Sequence, residues 1–321
     1  MQLKEMGIFK RHDEPVLVPD DVYWRSMEVF NPGAFMDKEG NIVLLYRAIG
    51  EYLSYVSRIG VAISEDGVNF RYLGDEPLLY PDRIHDWMGV EDPRVTMAGG
   101  KLMIAYASLA LPEPGIWPGL RRHISLVGIA EADSNDLESL GRVRKVGVIL
   151  EPHPNRDAAI VEVKGKLVLL HRPETWGSRP SIWITPLNDY RGELRLREEN
   201  SKVILEPEGE ELKIGLGPPP VRIENEWLMI YHAVYPPMVY VAYAALLDDE
   251  FKVLSKTPRP ILVPRVEWEV YGDIHHVVFP TGMVIKDDEV LLYYGAGDKV
   301  VMMAKADLSS LMSILDKHKM E

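Results

Sequence analysis

The sequence predicts an all-β fold: a five-bladed β-propeller with a short C-terminal helix. Three observations predict it. Long amphipathic helical patterns are nearly absent from the 321 residues. A short apolar run behind a tight polar turn recurs five times. The recurrence also keeps a steady period, because Tyr46, Tyr106, His171, Tyr231 and Tyr293 hold the matching place in each run, at intervals of 60, 65, 60 and 62 residues. Units of that length, each with several strand signals, fit propeller blades. A solenoid normally uses shorter repeats, and two unrelated sandwiches would not keep a common period.

The five runs are KEGNIVLLYRA, AGGKLMIAYAS, VKGKLVLLHRP, IENEWLMIYHA and KDDEVLLYYGA. They define blades at about 31–80, 90–141, 156–200, 215–262 and 275–305, all within a single domain, 1–321. Each blade is expected to be a four-stranded antiparallel meander whose first strand lines the central channel. The N-terminal segment and the helix in DLSSLMSILDKHKM are expected to pack on this ring.

Stepping back 14 or 15 residues from each marker reaches the entrance of the inner strand: Asn31, Asp92, Asp157, Gly217 and Phe279. Four of these five are polar or glycine, where a plainly buried strand would carry Val or Ile. The stretch GVEDPRV (89–95) is one such entrance, and all of them face a shared axial funnel. Successive strand side chains point to opposite faces, so Glu91 and Asp92 are not expected to enter the funnel together. Pro93 has no N–H to donate and suits a strand start.

Composition narrows the function. A hydrophobic fraction of 46% supplies a core, and no run approaches the ~18 apolar residues of a membrane span. The N-terminus lacks the apolar block of a secretory signal, which makes the cytoplasm the expected location. No cysteine is present, so disulfide and thiolate chemistry are excluded. The net charge of −13 argues against nucleic-acid binding, which needs a positive field. Nor is there a metal motif: HExxH is missing, and His275 and His276 are adjacent residues whose side chains diverge on a strand, expected to be structural or to touch sugar.

Within this acidic chain, cations recur at equivalent places. The residues after the five markers are Arg47, Ala107, Arg172, His232 and Tyr294, and Arg156 and Lys213 stand at the third and fourth inner-strand mouths. Cations converging from separate blades suit a tetrahedral oxyanion, with arginine offering a fork and lysine a point charge. Alternatively, they pair with Asp92, Asp157 or Asp298 and staple blades together. Tyr46, Tyr106, Trp87 and Tyr243 could stack on sugar faces, although packing explains each of them as well.

The motifs GVEDPRV, NRDAAI, LVLLHRP, KIGLGPPP, MIYHAV, AYAALLD and YYGAGD together resemble glycoside hydrolase family 130, from about residue 30 to 305. The resemblance implies a five-bladed propeller that acts mainly as an inverting β-mannoside phosphorylase, yielding α-mannose 1-phosphate. It further implies that Asp92 is the proton donor and that Arg156, Arg172, Lys213, His232 and Tyr243 bind phosphate. Asn31, Arg47, Glu91, Arg94, Asp157 and Asp298 would contact substrate. Inorganic phosphate is then a co-substrate and no other cofactor is implied; the partners are a small carbohydrate and phosphate, with homo-oligomer formation left open. Between the two arginines, the segment with VEVKG is about two residues shorter than is usual in the family. The Pro/Gly-rich stretch 111–123 reads as a loop that shapes the acceptor site.

Other functions stay open on the sequence. A hydrolase on the same fold would use Asp157 or Glu91 to activate water. A non-catalytic carbohydrate-binding propeller would need no acid beside an anion pocket, and an interaction scaffold would need no converging cations.

Overall fold

A computed structural model describes residues 3–111 and 123–319 of the chain. Five sheets form the blades of a propeller. Their inner strands are Glu28–Met36, Gly89–Ala98, Asn155–Val163, Lys213–Leu216 continued by Val221–Ile223, and Val278–Lys286. These pack against one another around the axis. Each blade's second strand carries the apolar run, and its marker residue is buried: Tyr46, Tyr106, His171, Tyr231 and Tyr293 are core side chains. Glycine faces two of them. A Cβ at Gly60 would lie 2.4 Å from the Tyr46 ring, and one at Gly128 would lie 2.2 Å from Tyr106.

The uniform four-stranded meander needs two corrections. Blade two has a fifth strand, Gly192–Arg195, which comes from the chain of blade three and pairs parallel with Arg144–Glu151. Blade five has only three strands of its own before the helix begins. Its fourth is the N-terminal Lys10–Arg11, paired with Lys305 and Ala304. Both additions cover an edge that would otherwise present unpaired N–H and C=O groups. The second also joins the two ends of the ring.

The C-terminal helix, Leu308–Lys317, starts where the Asp307 carboxylate accepts the Ser310 N–H at 2.7 Å. Such a cap satisfies one of the orphan donors of the first turn. Leu311 and Leu315 bury one face of the helix among Leu228, Leu246 and Leu292.

The inner strands are interrupted where they pass the marker. In blade one the pairing runs Phe30 to Arg47 and resumes Gly33 to Leu45. Blade two repeats this at Glu91–Ala107 and Arg94–Ala105, and blade three at Arg156–Arg172 and Ala159–Leu170. One extra residue therefore bulges opposite Tyr46, Tyr106 and His171, and a bulge re-aims a side chain. The residues that open these bulges, Asn31, Asp92 and Asp157, have φ of 45°, 51° and 51°. Asn and Asp tolerate this left-handed region better than other side chains do. The polar entrances in the sequence are thus positions where the backbone itself calls for Asn or Asp.

Most of the stretch 111–123, residues 112–122, lies outside the described residues. No helix among the described residues is long and apolar enough to cross a membrane.

Candidate functional site

The bulged entrances meet at an axial cavity of about 120 Å³. Asn31, Arg47, Asp92, Arg156, Asp157, Arg172, Lys213, His232 and Asp298 line it, nine of the twelve residues singled out in the sequence. Tyr240, Ile274, Val277 and Phe279 complete the lining.

Asp92 is held from two sides. The Asn31 amide donates to its Oδ1 at 2.8 Å, and Arg47 Nη1 does so at 3.1 Å. Burial alone would raise its pKa, but the guanidinium groups of Arg47, Arg156 and Arg94, with the Asn31 hydrogen bond, hold the carboxyl below its usual range.

Asp157 faces the opposite wall. Arg172 Nε donates to its Oδ2 at 2.7 Å, Arg94 Nη2 lies 3.7 Å from Oδ1, and His232 Nε2 lies 3.5 Å from Oδ2. Burial opposes ionisation, yet the guanidinium groups of Arg172, Arg94 and Arg156 pull its pKa far down. Asp157 is a fixed anion that orients Arg172 and His232. The Asp157–His232 contact needs Gly215 beside it, because a Cβ there would lie 2.3 Å from Asp157 Oδ2 and 2.4 Å from His232 Cε1.

Several groups keep capacity for a ligand. Arg156 gives Nη2 to Glu91 at 3.0 Å, while its buried Nε has no hydrogen-bond partner; His232 Nδ1 has none either. Burial lowers the His232 pKa to about 3, so the ring is neutral. The Lys213 ammonium lies 5.5 Å from the Tyr240 ring centroid, and burial, reinforced by Arg172, lowers its pKa to about 8. Across the cavity, burial raises Asp298 to about 7, Arg47 pulls it down, and Asp92, Glu28 and Glu91 push it up.

Three expected residues are not in the lining. Glu91 is buried behind it, bridging Arg47 Nη2 at 2.6 Å, Ser57 Oγ at 2.9 Å and Arg156. It positions two cations, and the expected split between Glu91 and its neighbour is what the structure shows. Arg94 is a buried strut across the axis, donating to the carbonyls of Asp92 and Gly217 at 2.7 Å and of Leu216 at 3.2 Å. Tyr243 belongs to the other face of its strand. It pairs with Tyr231 and stacks on it at 5.5 Å, and its hydroxyl meets that of Tyr235. The tyrosine of the cavity is Tyr240, whose partner Val234 shares a face with His232. Phe279, marked in the sequence as the entrance of the fifth inner strand, is in the lining; Ile274 and Val277 were missed, since apolar residues beside a strand start carry no signal of a site. Tyr46 and Tyr106 are packing residues. His275 and His276 are exposed beside the cavity-lining Ile274 and Val277. The described residues contain no group of three or more His, Cys, Asp or Glu side chains that could hold a metal.

A propeller whose axial cavity sets one carboxylate against a bank of cations is built to handle a sugar and an anion side by side. Comparison with known proteins narrows that class. The chain belongs to glycoside hydrolase family 130: residues 7–317 match the family model described as beta-1,4-mannooligosaccharide phosphorylase. It is 34% identical over 312 residues to the 1,2-beta-oligomannan phosphorylase of Thermoanaerobacter sp. (strain X514), covering 93% of this chain and 97% of that one. It is 30% identical to the beta-1,2-mannobiose phosphorylase of Listeria innocua, over 83% of this chain and 70% of that one. The solved structure of a Listeria innocua beta-1,2-mannobiose phosphorylase with beta-1,2-mannobiose superposes with a TM-score of 0.80, at 23% identity, covering 97% of this chain and 99% of that one.

Proposed function

We propose that the protein is an inverting β-mannoside phosphorylase: it cleaves β-mannosidic bonds of manno-oligosaccharides with inorganic phosphate, releasing α-mannose 1-phosphate and the shortened sugar. One observation carries this reading: a cavity lined by Arg156, Arg172, Lys213 and His232 from blades three and four together with Asp92 from blade two. Inversion by water needs a second carboxylate as base on the far side of the bond. Here the far side holds Asp157, tied to Arg172 and too acidic to take a proton efficiently at neutral pH. Phosphate needs no such base, because it is already a nucleophile.

In this reading Arg156, Arg172 and Lys213 hold the phosphate, His232 Nδ1 accepts a P–OH, and Tyr240 replaces Tyr243 among the contacts. The pocket then supplies positioning and stabilises charge as the new bond forms. Asn31, Arg47 and Asp298 face the mannosyl unit, and Asp298, with a pKa of about 7, is partly protonated at neutral pH and can donate to a sugar hydroxyl.

Asp92 donates a proton to the glycosidic oxygen, directly or through a hydroxyl of the mannosyl ring. In the free enzyme Arg47, Arg156 and Arg94 hold its carboxyl below the usual range, which works against that task. A bound phosphate works the other way, because a nearby negative charge disfavours the carboxylate and raises its pKa. The anion that attacks thus also prepares the acid. The two curated relatives named above carry β-1,2 linkages in their names, which supports β-1,2-linked mannosides as the substrate class.

The test is incubation with β-1,2- and β-1,4-linked manno-oligosaccharides, with and without phosphate. The expected result is phosphate-dependent release of α-mannose 1-phosphate, fastest on the β-1,2 series. Free mannose appearing equally fast without phosphate would establish hydrolysis instead.

A further inference from the structure

The six exposed aromatic side chains among the described residues are Tyr23, Tyr52, Tyr80, Trp87, Trp268 and Tyr271. All six stand on segments that lead into the inner strands of blades one, two and five or that follow the second strand of blade one. The described residues of blades three and four contribute none. The aromatic rim therefore lies on the side of Asn31, Asp92 and Asp298, away from Arg156, Arg172, Lys213 and His232.

Two of these rings flank the joint between blades one and two. Ser57 bridges to Gly89, and Val90 N–H donates to the Ser57 carbonyl at 3.1 Å. Trp87, 61% exposed, sits two residues before that bridge, and Tyr52, 46% exposed, begins the loop that leads to it. The inner strand that starts at Gly89 carries Asp92 three residues later. The short turn before Trp87 is fixed: Lys145 Nζ bonds Asp86 Oδ2 at 2.5 Å, and Asp86 Oδ1 accepts the Arg83 N–H at 2.9 Å.

In an inverting displacement the nucleophile and the leaving oxygen stand on opposite sides of the sugar carbon. With phosphate on the wall of blades three and four, the leaving sugar points toward blades one and two, beside Asp92. We propose that Trp87 and Tyr52 form a stacking platform for the sugar units beyond the cleaved bond, so that the enzyme prefers chains of three or more units over the disaccharide. This rests on the phosphorolytic reading of the site. Flat rings match the apolar face of a pyranose, and the 120 Å³ cavity leaves the rest of a chain to be bound outside it.

The experiment compares Trp87→Ala and Tyr52→Ala with the parent on β-linked mannobiose, mannotriose and mannotetraose at saturating phosphate. The expected result is that KM for the tetrasaccharide rises about three- to tenfold relative to KM for the disaccharide, a size set by one lost stacking contact. Met238→Ala, on the rim of blade four, should leave that ratio unchanged. An unchanged ratio in both aromatic variants, or an equal shift in the Met238 variant, overturns the proposal. So does a shift that tracks dissociation of an oligomer in light scattering, which would assign the rim to a second copy of the chain. Failure of the phosphorolytic reading looks different: the parent itself would then release sugar without phosphate.

Discussion

Blades three and four bring Arg156, Arg172, Lys213 and His232 to the cavity, whereas blades one, two and five bring Asn31, Asp92 and Asp298, with Arg47 as the one cation among the described lining residues of that side. Both walls are built from the same strand positions. Asn31, Asp92 and Asp157 occupy equivalent bulges, and Arg47, Arg172 and His232 each follow a buried marker. What separates the walls is the partner given to each carboxylate. Asp157 is locked by Arg172 at 2.7 Å, with His232 at 3.5 Å, and is a permanent anion. Asp92 has the Asn31 amide and a longer 3.1 Å contact with Arg47, so its proton affinity depends on what else enters the cavity. A repeated scaffold can therefore offer the same acid twice and make only one of them responsive.

Replacing the responsive acid should have the largest effect. Asp92→Asn keeps the shape and the Asn31 contact but cannot give up a proton, so kcat is expected to fall about 10²- to 10⁴-fold. The Tm of the variant should stay within a few degrees of the parent, which separates lost chemistry from lost folding. Asp157→Asn breaks the comparison from the other side. Its loss should appear chiefly in KM for phosphate, because it frees Arg172 and His232 without removing the acid. If the two variants lost activity in the same parameter, the two walls would not have separate roles.

The next effect is a pH dependence on the cation wall. Lys213 carries its charge below about pH 8, since burial and the Arg172 charge lower its pKa from the ordinary lysine value. KM for phosphate should therefore rise as the pH passes through 8 and reach about tenfold at pH 9.5, the size of one lost charge-assisted contact. Lys213→Arg keeps a charge that does not titrate in this range. Its KM for phosphate should stay flat over the same interval, and a parallel rise would assign the titration to another group.

How much of this was legible in the sequence follows from what each feature depends on. The marker spacing was legible because every blade must bury the same second strand. The entrances were legible because a left-handed bulge selects Asn or Asp, and those residues stand out against apolar neighbours. The roles of Glu91 and Arg94 were not, since a bulge shifts the alternation of faces and only the register shows which side chain is carried behind the cavity. The strand Lys10–Arg11 is too short for any periodicity, and its partner lies nearly 300 residues away. The aromatic rim was half visible: Trp87 drew notice, but that Tyr52 belongs to the loop meeting the same blade joint shows only in the Ser57–Gly89 bridge.

The choice between Tyr240 and Tyr243 shows the limit most sharply and gives the smallest of the expected effects. The two residues are three apart on one strand, so they occupy opposite faces. Both sit in a motif of alternating small and aromatic residues, and nothing local says which face meets the axis. Pairing decides it. Tyr243 lies opposite Tyr231, a core residue, whereas Tyr240 lies opposite Val234, on the face that carries His232 and, across the next pairing, Lys213. A single neutral hydroxyl contact to phosphate is worth about 0.5–1.5 kcal/mol, so Tyr240→Phe should raise KM for phosphate about two- to tenfold. Tyr243→Phe removes only a hydroxyl that meets Tyr235 at 3.0 Å and should leave KM for phosphate unchanged. A reversed outcome would mean that the strand has slipped by one residue. Such a slip would turn every side chain of Val239–Leu247 to the other face and leave His232, on the neighbouring strand Glu226–Tyr235, where it is.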